Sequence, residues 1–289
     1  MKKIAWITDS TCGLPQEFIE ENDIHVVPLN VIINGVSYKE DVDITKEEFY
    51  QKLQEPDVDA KTSQASLGDF LELYERLKEE YDCGIAIHAS SKLTGMYNSS
   101  RVAGEQTGFP VEVIDSKIGN YALGKMIRNG IALEKKGLSY EEIVARMRKF
   151  PALAEMYLLP SSMEQLKKSG RVSLGQAILA SILNINLLLR FQEGKVVVEE
   201  KIRSKKKAKN RLFEIVEKAV EKYELEEICV MHAGVIDKAN AWKEELEKMH
   251  DQLRVKIKTL VPVAGVHTGY GTMAISWLSD GDLGYLETH

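Results

Sequence analysis

The sequence predicts an α/β protein of two domains. The N-terminal domain is expected to contain a mostly parallel sheet flanked by helices, and the C-terminal domain a mixed sheet with helices. Strand-like and helix-like segments alternate along the first half, which favours parallel strands covered by helices. The second half repeats this alternation without repeating the sequence. A length of 289 residues suits two domains, and we expect them at 1–153 and 154–289, with the boundary near Phe150 and Pro151.

The first half begins with a predicted strand at residues 3–7. A second strand is predicted at 26–33, and the Asn34-Gly35 dipeptide that follows it favours a tight hairpin with a strand returning from Tyr38. Further strands are expected at 84–88 and 111–114, which are short and continuously apolar, as strands covered on both faces tend to be. Helical patterns cover 14–21, 46–53, 67–80, 95–106 and 117–136, with Thr45 and Ser66 as N-caps of the second and third.

The second half predicts strands at 156–159, 195–202, 227–231, 255–261 and 272–277. It predicts helices at 161–168, 174–189, 205–223 and 238–249. The predicted helix at 174–189 is strongly apolar, so that it could line a tunnel or belong to an ordinary core.

Composition excludes several classes of protein. A net charge of -6 and a pI near 5.7 argue against a general nucleic-acid binder. The three cysteines, Cys12, Cys83 and Cys229, are scattered and predict neither a disulfide framework nor a zinc site. The N-terminus reads as a first strand rather than a signal peptide, and the apolar stretch at 178–189 is too short to span a bilayer. We therefore expect a cytoplasmic protein.

Two hydroxyl-rich segments predict an anion site. The first, KTSQAS at 61–66, places Thr62 and Ser63 just before a helix, where unpaired backbone N–H groups attract negative charge. The second, SSKLTGMY at 90–97, places Thr94 and Gly95 at another helix start, and a glycine there lets a ligand approach the backbone closely. Simple helix capping and a serine-rich connection are the alternative explanations.

Two further segments carry groups that recognise acids. SGRVS at 169–173 contains Arg171, and Arg203 follows the next predicted strand; a guanidinium donates two parallel hydrogen bonds to a carboxylate or phosphate. VHTGYG at 266–271 places His267 in a glycine-spaced turn, from which its ring could face a ligand. Surface arginines and a structural histidine are the corresponding alternatives.

The common signatures of catalysis and of cofactor binding are missing. The sequence holds no GxxxxGK[ST] phosphate loop, no GxSxG nucleophile turn and no HExxH or other clustered metal ligands. We therefore expect no cofactor and no metal; no obvious nucleophile is paired with a base at short range, while partners distant in the sequence remain open.

Six motifs in register resemble the DegV family, which includes the fatty-acid-binding (FakB-like) subunits of the bacterial fatty acid kinase. They are TDS at 8–10, KTSQAS, SSKLTGMYNSS at 90–100, VIDSK at 113–117, SGRVS and HTGYG at 267–271. The resemblance implies a fatty acid bound between two domains, its chain in an apolar tunnel. It implies carboxylate ligands at Thr62, Thr94 and His267, supporting residues at Ser63, Gly95 and Thr268, and arginines at the site mouth, Arg171 and Arg203.

The resemblance also implies a lipid-binding subunit rather than an enzyme. Such a protein would bind one long-chain fatty acid and present its carboxylate to a separate fatty acid kinase subunit. That kinase subunit would form an acyl-phosphate for phospholipid synthesis. Peripheral contact with a membrane would allow the exchange of lipid. The alternative is a stand-alone acyl or phosphoryl transferase or hydrolase using Ser91 or Thr94 with His267. The sequence departs from the family pattern at Thr94, where serine is usual, and at Ala65 and Tyr270, where proline is common.

Overall fold

The computed structural model describes residues 2–55, 57–173 and 185–279. Its strands are β1 (Ile4–Asp9), β2 (Ile24–Val27), β3 (Asn30–Ile33), β4 (Val36–Lys39), β5 (Ala60–Ser63), β6 (Cys83–His88), β7 (Val111–Asp115), β8 (Ala154–Leu159), β9 (Val172–Ser173), β10 (Asn186–Gln192), β11 (Lys195–Ile202), β12 (Glu227–His232), β13 (Arg254–Thr259) and β14 (Met273–Leu278). Its α-helices are α1 (Gln16–Glu21), α2 (Lys46–Lys52), α3 (Leu67–Glu80), α4 (Met96–Thr107), α5 (Asn120–Lys135), α6 (Tyr140–Met147), α7 (Met163–Ser169), α8 (Lys205–Tyr223), α9 (Ile236–Met249) and α10 (Pro262–Thr268).

The N-terminal half is organised around a parallel sheet in the order β2-β1-β6-β7. β1 and β6 are buried at every position, which explains the apolar runs at 4–7 and 83–87. Helices α3 and α4 pack together, and α4 contacts β6 and β7. The predicted N-caps are confirmed: Thr45 and Ser66 each form a capping box, with Glu48 and Asp69 respectively.

A small antiparallel sheet, β4-β3-β5, lies beside the parallel one. The hairpin at Asn34-Gly35 is confirmed: both residues have positive φ, and Ile33 pairs with Val36 across the turn. The single strand predicted at 26–33 is wrong, because the chain leaves one sheet after Val27 and enters the other at Asn30. Pro28 stands between them and has no N–H to donate to a ladder.

The C-terminal half contains a mixed sheet in the order β13-β12-β14-β8-β10-β11-β9. Helices α8 and α9 supply apolar side chains to a core on this sheet, around Trp242 and Trp277. A second core cluster joins residues of this sheet to the N-terminal half, and α5 contacts both β6 and β14. The fold class is thus the predicted one, while the boundary at 153 remains a prediction.

The helix predicted at 174–189 is wrong at its C-terminal end. Residues Asn186–Gln192 form β10, which pairs with β11 through a tight turn at Glu193 and Gly194, both with positive φ. Residues 174–184 lie outside the described residues. Of the helices in the described ranges, none is both long and apolar enough to cross a bilayer.

Candidate functional site

A cavity of about 440 Å³ lies where the two halves meet, a volume within the range typical of small-molecule sites. Its wall is mostly apolar. The C-terminal half contributes Met156, Leu158, Leu166, Val172, Phe191, Val196 and Ala274. The N-terminal half and α10 contribute Leu29, Ala89, Leu93, Ile118, Val261, Val263 and Ala264.

Two of the predicted carboxylate ligands meet at the cavity wall. Thr62 lies on β5, in register with Val31 of β3, and His267 lies in the last turn of α10, which contacts both strands. The Thr62 Oγ1 and His267 Nε2 atoms are 3.2 Å apart and form a hydrogen bond. The expected local structure was different: Thr62 and Ser63 belong to strand β5 rather than to the start of the next helix, and His267 belongs to a helix rather than to a turn.

His267 is neutral near pH 7. Burial, and secondarily the charge of Arg171, lower the pKa of its imidazole to about 4. A neutral ring has one N–H donor and one acceptor nitrogen. Nε2 is hydrogen-bonded to Thr62, while Nδ1 is buried without a hydrogen-bond partner among the described residues, so a ligand at the cavity wall would meet the Thr62–His267 hydrogen bond rather than Nδ1.

Thr94 and Gly95 lie between β6 and α4, on the same cavity wall. The Met96 N–H donates to Thr94 Oγ1 at 3.4 Å, which leaves the hydroxyl hydrogen of Thr94 for a ligand. The Gly95 N–H donates instead to Gln64 Oε1 at 2.8 Å, and a Cβ at position 95 would lie 2.1 Å from that oxygen. A Cβ at this position would therefore displace the Gln64 side chain from this hydrogen bond.

The supporting residues Ser63 and Thr268 also line the cavity, but their hydroxyls differ. The Thr268 hydroxyl donates to the Ala264 carbonyl of its own helix at 2.8 Å, so its hydrogen is already used. Ser63 is exposed and has only long contacts, such as 3.5 Å to Asn30.

The two predicted arginines lie in different places. Arg171 is exposed at the cavity, and its Nε donates to the Leu93 carbonyl at 3.3 Å, which links the two halves beside Thr94. Arg203 is exposed, is not among the described residues that line the cavity, and follows the end of β11. Val196 near the start of that strand does line the cavity, so the strand places Arg203 roughly 20 Å away. Its role at the mouth stays a prediction.

Ser91, the alternative nucleophile, is hydrogen-bonded to a carboxylate. Its Oγ donates to Asp115 Oδ2 at 2.5 Å and its N–H to Asp115 Oδ1 at 3.2 Å. These bonds hold the loop after β6 against the end of β7. Ser91 lines the cavity and has no hydrogen bond to His267 among the described residues.

The TDS motif has a structural explanation that the sequence did not reveal. Asp9 is fully buried and accepts hydrogen bonds from Thr11, from the Ala89 N–H at 2.9 Å and from His88 Nδ1 at 3.1 Å. The carboxylate thereby fixes the ends of β1 and β6 where their loops form the cavity wall.

Glu40 was also missed, and it holds the helix that carries His267. Its carboxylate is fully buried and accepts hydrogen bonds from Ser10 Oγ at 2.5 Å and from the Val263 N–H at 2.6 Å. Val263 lies in the first turn of α10, where N–H groups lack helical partners. Burial, opposed by these two hydrogen bonds, raises the pKa of Glu40 to about 7.

No cluster of His, Cys, Asp and Glu side chains suited to a metal ion was found within the described ranges. The three cysteines are buried and free.

Sequence comparison assigns the chain to a family. The model of the DegV family, described as uncharacterised proteins, matches residues 3–280. A DegV domain-containing protein of Listeria innocua is 33% identical over 278 residues, which cover 96% of this chain and 98% of that protein. A DegV domain-containing protein of Staphylococcus aureus is 32% identical over 275 residues, or 95% of this chain and 98% of the relative. This chain belongs to the DegV family.

Solved structures share the fold over nearly the whole chain. DegV of Bacillus subtilis, described as a fatty acid binding protein, superposes with a TM-score of 0.88 at 30% identity, covering 96% of this chain and 99% of that one. A fatty acid binding DegV family protein of Streptococcus agalactiae gives 0.88 at 29% identity and covers 96% and 98%. A DegV family protein of Thermus thermophilus, described by its fatty acid binding, gives 0.85 at 28% identity and covers 95% and 98%.

Proposed function

We propose that this protein binds one long-chain fatty acid, with the acyl chain in the cavity and the carboxylate beside Thr62, Thr94 and His267. The observation that carries the proposal is a mostly apolar cavity with the Thr62–His267 pair on its wall. Each methylene that leaves water for such a wall contributes roughly 0.8 kcal/mol, so the chain can supply most of the affinity. The fatty acid binding described for the structural relatives supports the same ligand.

The polar groups fit a carboxylate that is removed from water. Such a group needs several donors, since it would otherwise become protonated. The Thr94 hydroxyl hydrogen remains for a ligand, and with the ring proton of His267 on Nε2 donating to Thr62 Oγ1, the Thr62 hydroxyl hydrogen is free for the same ligand. These donors are uncharged, so they recognise a carboxylate without a buried cation.

A titration of delipidated protein tests this proposal. We expect a fluorescent long-chain fatty acid to bind with a stoichiometry of one, and stearic acid to displace it. Stearyl alcohol has the same chain without the carboxylate and should displace it more weakly. Equal displacement by the acid and the alcohol would mean that the hydroxyls and the histidine do not recognise a carboxylate.

We propose further that the protein acts without a catalytic residue of its own and presents the bound acid to a separate ATP-dependent kinase subunit. The resemblance to the fatty-acid-binding subunits of the bacterial fatty acid kinase motivates this step. The hydrogen bonds of Ser91 to Asp115, rather than to His267, favour a binding protein over a stand-alone transferase or hydrolase.

Arg203 tests the presentation step, because it is exposed and distant from the described cavity wall. Arg203→Ala should lower acyl-phosphate formation with a cognate kinase while fatty acid affinity stays unchanged. Glu221→Ala, a change at an exposed position of α8, is a surface control. A parallel loss of affinity and turnover in Arg203→Ala would assign the arginine to ligand binding instead.

A further inference from the structure

A glutamine side chain lies at the start of helix α4, beside the candidate carboxylate ligands. Gln64 and Gly95 both line the cavity. Gln64 Oε1 accepts a hydrogen bond from the Gly95 N–H at 2.8 Å, and Gln64 Nε2 donates to Ser99 Oγ at 3.3 Å. Gly95 is the N-cap of α4 and has no side chain with which to cap it. Gln64 therefore supplies, from another segment, the oxygen that this helix start lacks.

The Gly95 N–H belongs to the candidate carboxylate site. Thr94 directly precedes Gly95, Thr62 lies two residues before Gln64, and all four residues line the cavity. A Cβ at position 95 would lie 2.1 Å from Gln64 Oε1, so this oxygen rests directly on the glycine backbone. A carboxylate oxygen in the place of Gln64 Oε1 would accept from the same N–H, next to the Thr94 hydroxyl.

The Gly95 N–H binds a carboxylate more strongly than it binds an amide. The first N–H groups of a helix lack helical partners and form the positive end of the helix dipole. Helix α4 has 12 residues and no acidic side chain in its first turn. A hydrogen bond to a charged acceptor is roughly twice as strong as one between neutral groups. A ligand carboxylate that reaches this N–H would therefore displace the Gln64 amide.

Little opposes the departure of the Gln64 side chain. Gln64 is exposed, so water replaces the hydrogen bonds that its amide gives up. The elements on either side are held by other contacts: β5 pairs with β3 over Ala60–Ser63, and α4 packs against α3, β6 and β7. The hydrogen bond between Gln64 and Gly95 is therefore not what keeps β5 and α4 in place.

We propose that Gln64 is an internal competitor of the ligand, which occupies the Gly95 N–H, is displaced by the carboxylate and thereby lowers the affinity for fatty acids. The inference rests on the proposed function, because the group that displaces Gln64 is the carboxylate of the bound acid. A ligand without a carboxylate would leave Gln64 on Gly95.

Competition binding with stearic acid and stearyl alcohol tests the inference in two variants. Gln64→Met keeps an unbranched side chain of similar length and removes the amide. It should raise the affinity for stearic acid roughly three- to tenfold, the effect of one neutral hydrogen bond that no longer has to be broken, and leave the affinity for stearyl alcohol nearly unchanged. Gln64→Glu places a charged competitor on the same N–H and should lower the affinity for stearic acid about tenfold or more.

Matched controls are available on the same helix. Gln106 is exposed on α4, roughly 15 Å from its start, and does not belong to the described cavity wall. Gln106→Met and Gln106→Glu make the same chemical changes and should bind both ligands like the wild type. Circular dichroism shows whether each variant is folded.

The outcomes separate this inference from the proposed function. Unchanged or weaker binding of stearic acid by Gln64→Met would refute the competition while fatty acid binding stands. An equal gain for the acid and the alcohol would refute it too, because that gain would come from the apolar surface of methionine. If stearic acid binds to none of the proteins, the proposed function itself fails.

NMR of the wild-type protein tests the displacement without any variant. Addition of stearic acid should shift the side-chain amide resonances of Gln64 and the backbone amide resonance of Gly95, because the partner of each changes. Saturation with stearic acid that leaves the Gln64 resonances at their original positions would overturn the inference.

Discussion

The hydrogen bond between Thr62 and His267 leads to the most specific prediction about the carboxylate. Thr62→Val keeps the shape of the side chain and the β-branching that suits strand β5, and it removes the hydroxyl. A hydrogen bond to a charged group is worth about 1.5–3 kcal/mol, so we expect fatty acid affinity to fall roughly ten- to a hundredfold. His267→Ala should have an effect of similar size.

The double variant of Thr62 and His267 gives the sharper test. If both side chains hold one carboxylate, the first loss displaces the ligand's acid group and the second removes less. The combined loss should therefore be smaller than the sum of the single losses. Thr268→Val is the matched control, because the Thr268 hydroxyl donates to its own helix at Ala264 and should affect binding little.

Isothermal titration of stearic acid into the four proteins and the control measures these affinities, and thermal unfolding shows whether each variant is folded. Unchanged affinity in both single variants would place the carboxylate elsewhere. Fully additive losses would mean that Thr62 and His267 act on different groups.

Three further predictions follow from neighbouring side chains. Thr94→Ser should bind fatty acid like the wild type, because the hydroxyl is kept, whereas Thr94→Val should lose roughly ten- to a hundredfold in affinity. Titration of a fluorescent fatty acid measures both affinities, and an unchanged affinity in Thr94→Val would mean that Thr94 does not contact the carboxylate. Arg171→Ala should raise the pKa of His267, because the guanidinium charge helps to lower it. NMR titration of the imidazole ring measures this pKa, and an unchanged or lower value in Arg171→Ala would contradict the prediction. Burial raises the pKa of Glu40 from 4.5 in the unfolded chain to about 7 in the folded protein. Between these pH values the folded protein therefore binds more protons than the unfolded chain. The free energy of unfolding should fall by on the order of 3 kcal/mol as the pH rises through this window. Glu40→Gln should flatten that dependence in chemical denaturation, with exposed Glu21→Gln as the control; an unchanged slope in Glu40→Gln would assign the proton to another group.

Elements with a clear local signal were predicted well. The strand at 195–202 and the helix at 205–223 have the observed bounds. The strand alternates between apolar and charged residues after a glycine, and the helix begins at a serine N-cap, so each boundary is set by neighbouring residues.

Elements decided by distant pairing were predicted less well. Residues 187–189 are three leucines, as apolar as a buried helix, and only their ladder with β11 makes them a strand. Helix α10 was missed because Gly265 and Gly269 suggested a turn, although Pro262 at its start was an available signal. The proline at position 28 was a similar overlooked signal between β2 and β3.

The candidate hydroxyl and histidine ligands could be proposed from the motifs, whereas the residues that position them could not. Gln64 occupies the Gly95 N–H, and Glu40 holds the helix of His267 through Val263, 223 positions away in the sequence. An isolated glutamate in a polar segment carries no local pattern. Its role depends on burial and on partners that only the folded chain brings together.

Native mass spectrometry of protein purified from bacteria tests the central claim most directly. Spectra recorded before and after delipidation should differ by the mass of one long-chain fatty acid per polypeptide, and the extracted lipid should carry a free carboxylate. The combined Thr62→Val and His267→Ala variant should retain less of this lipid. An identical mass before and after delipidation, with no uptake of added fatty acid, would contradict the account.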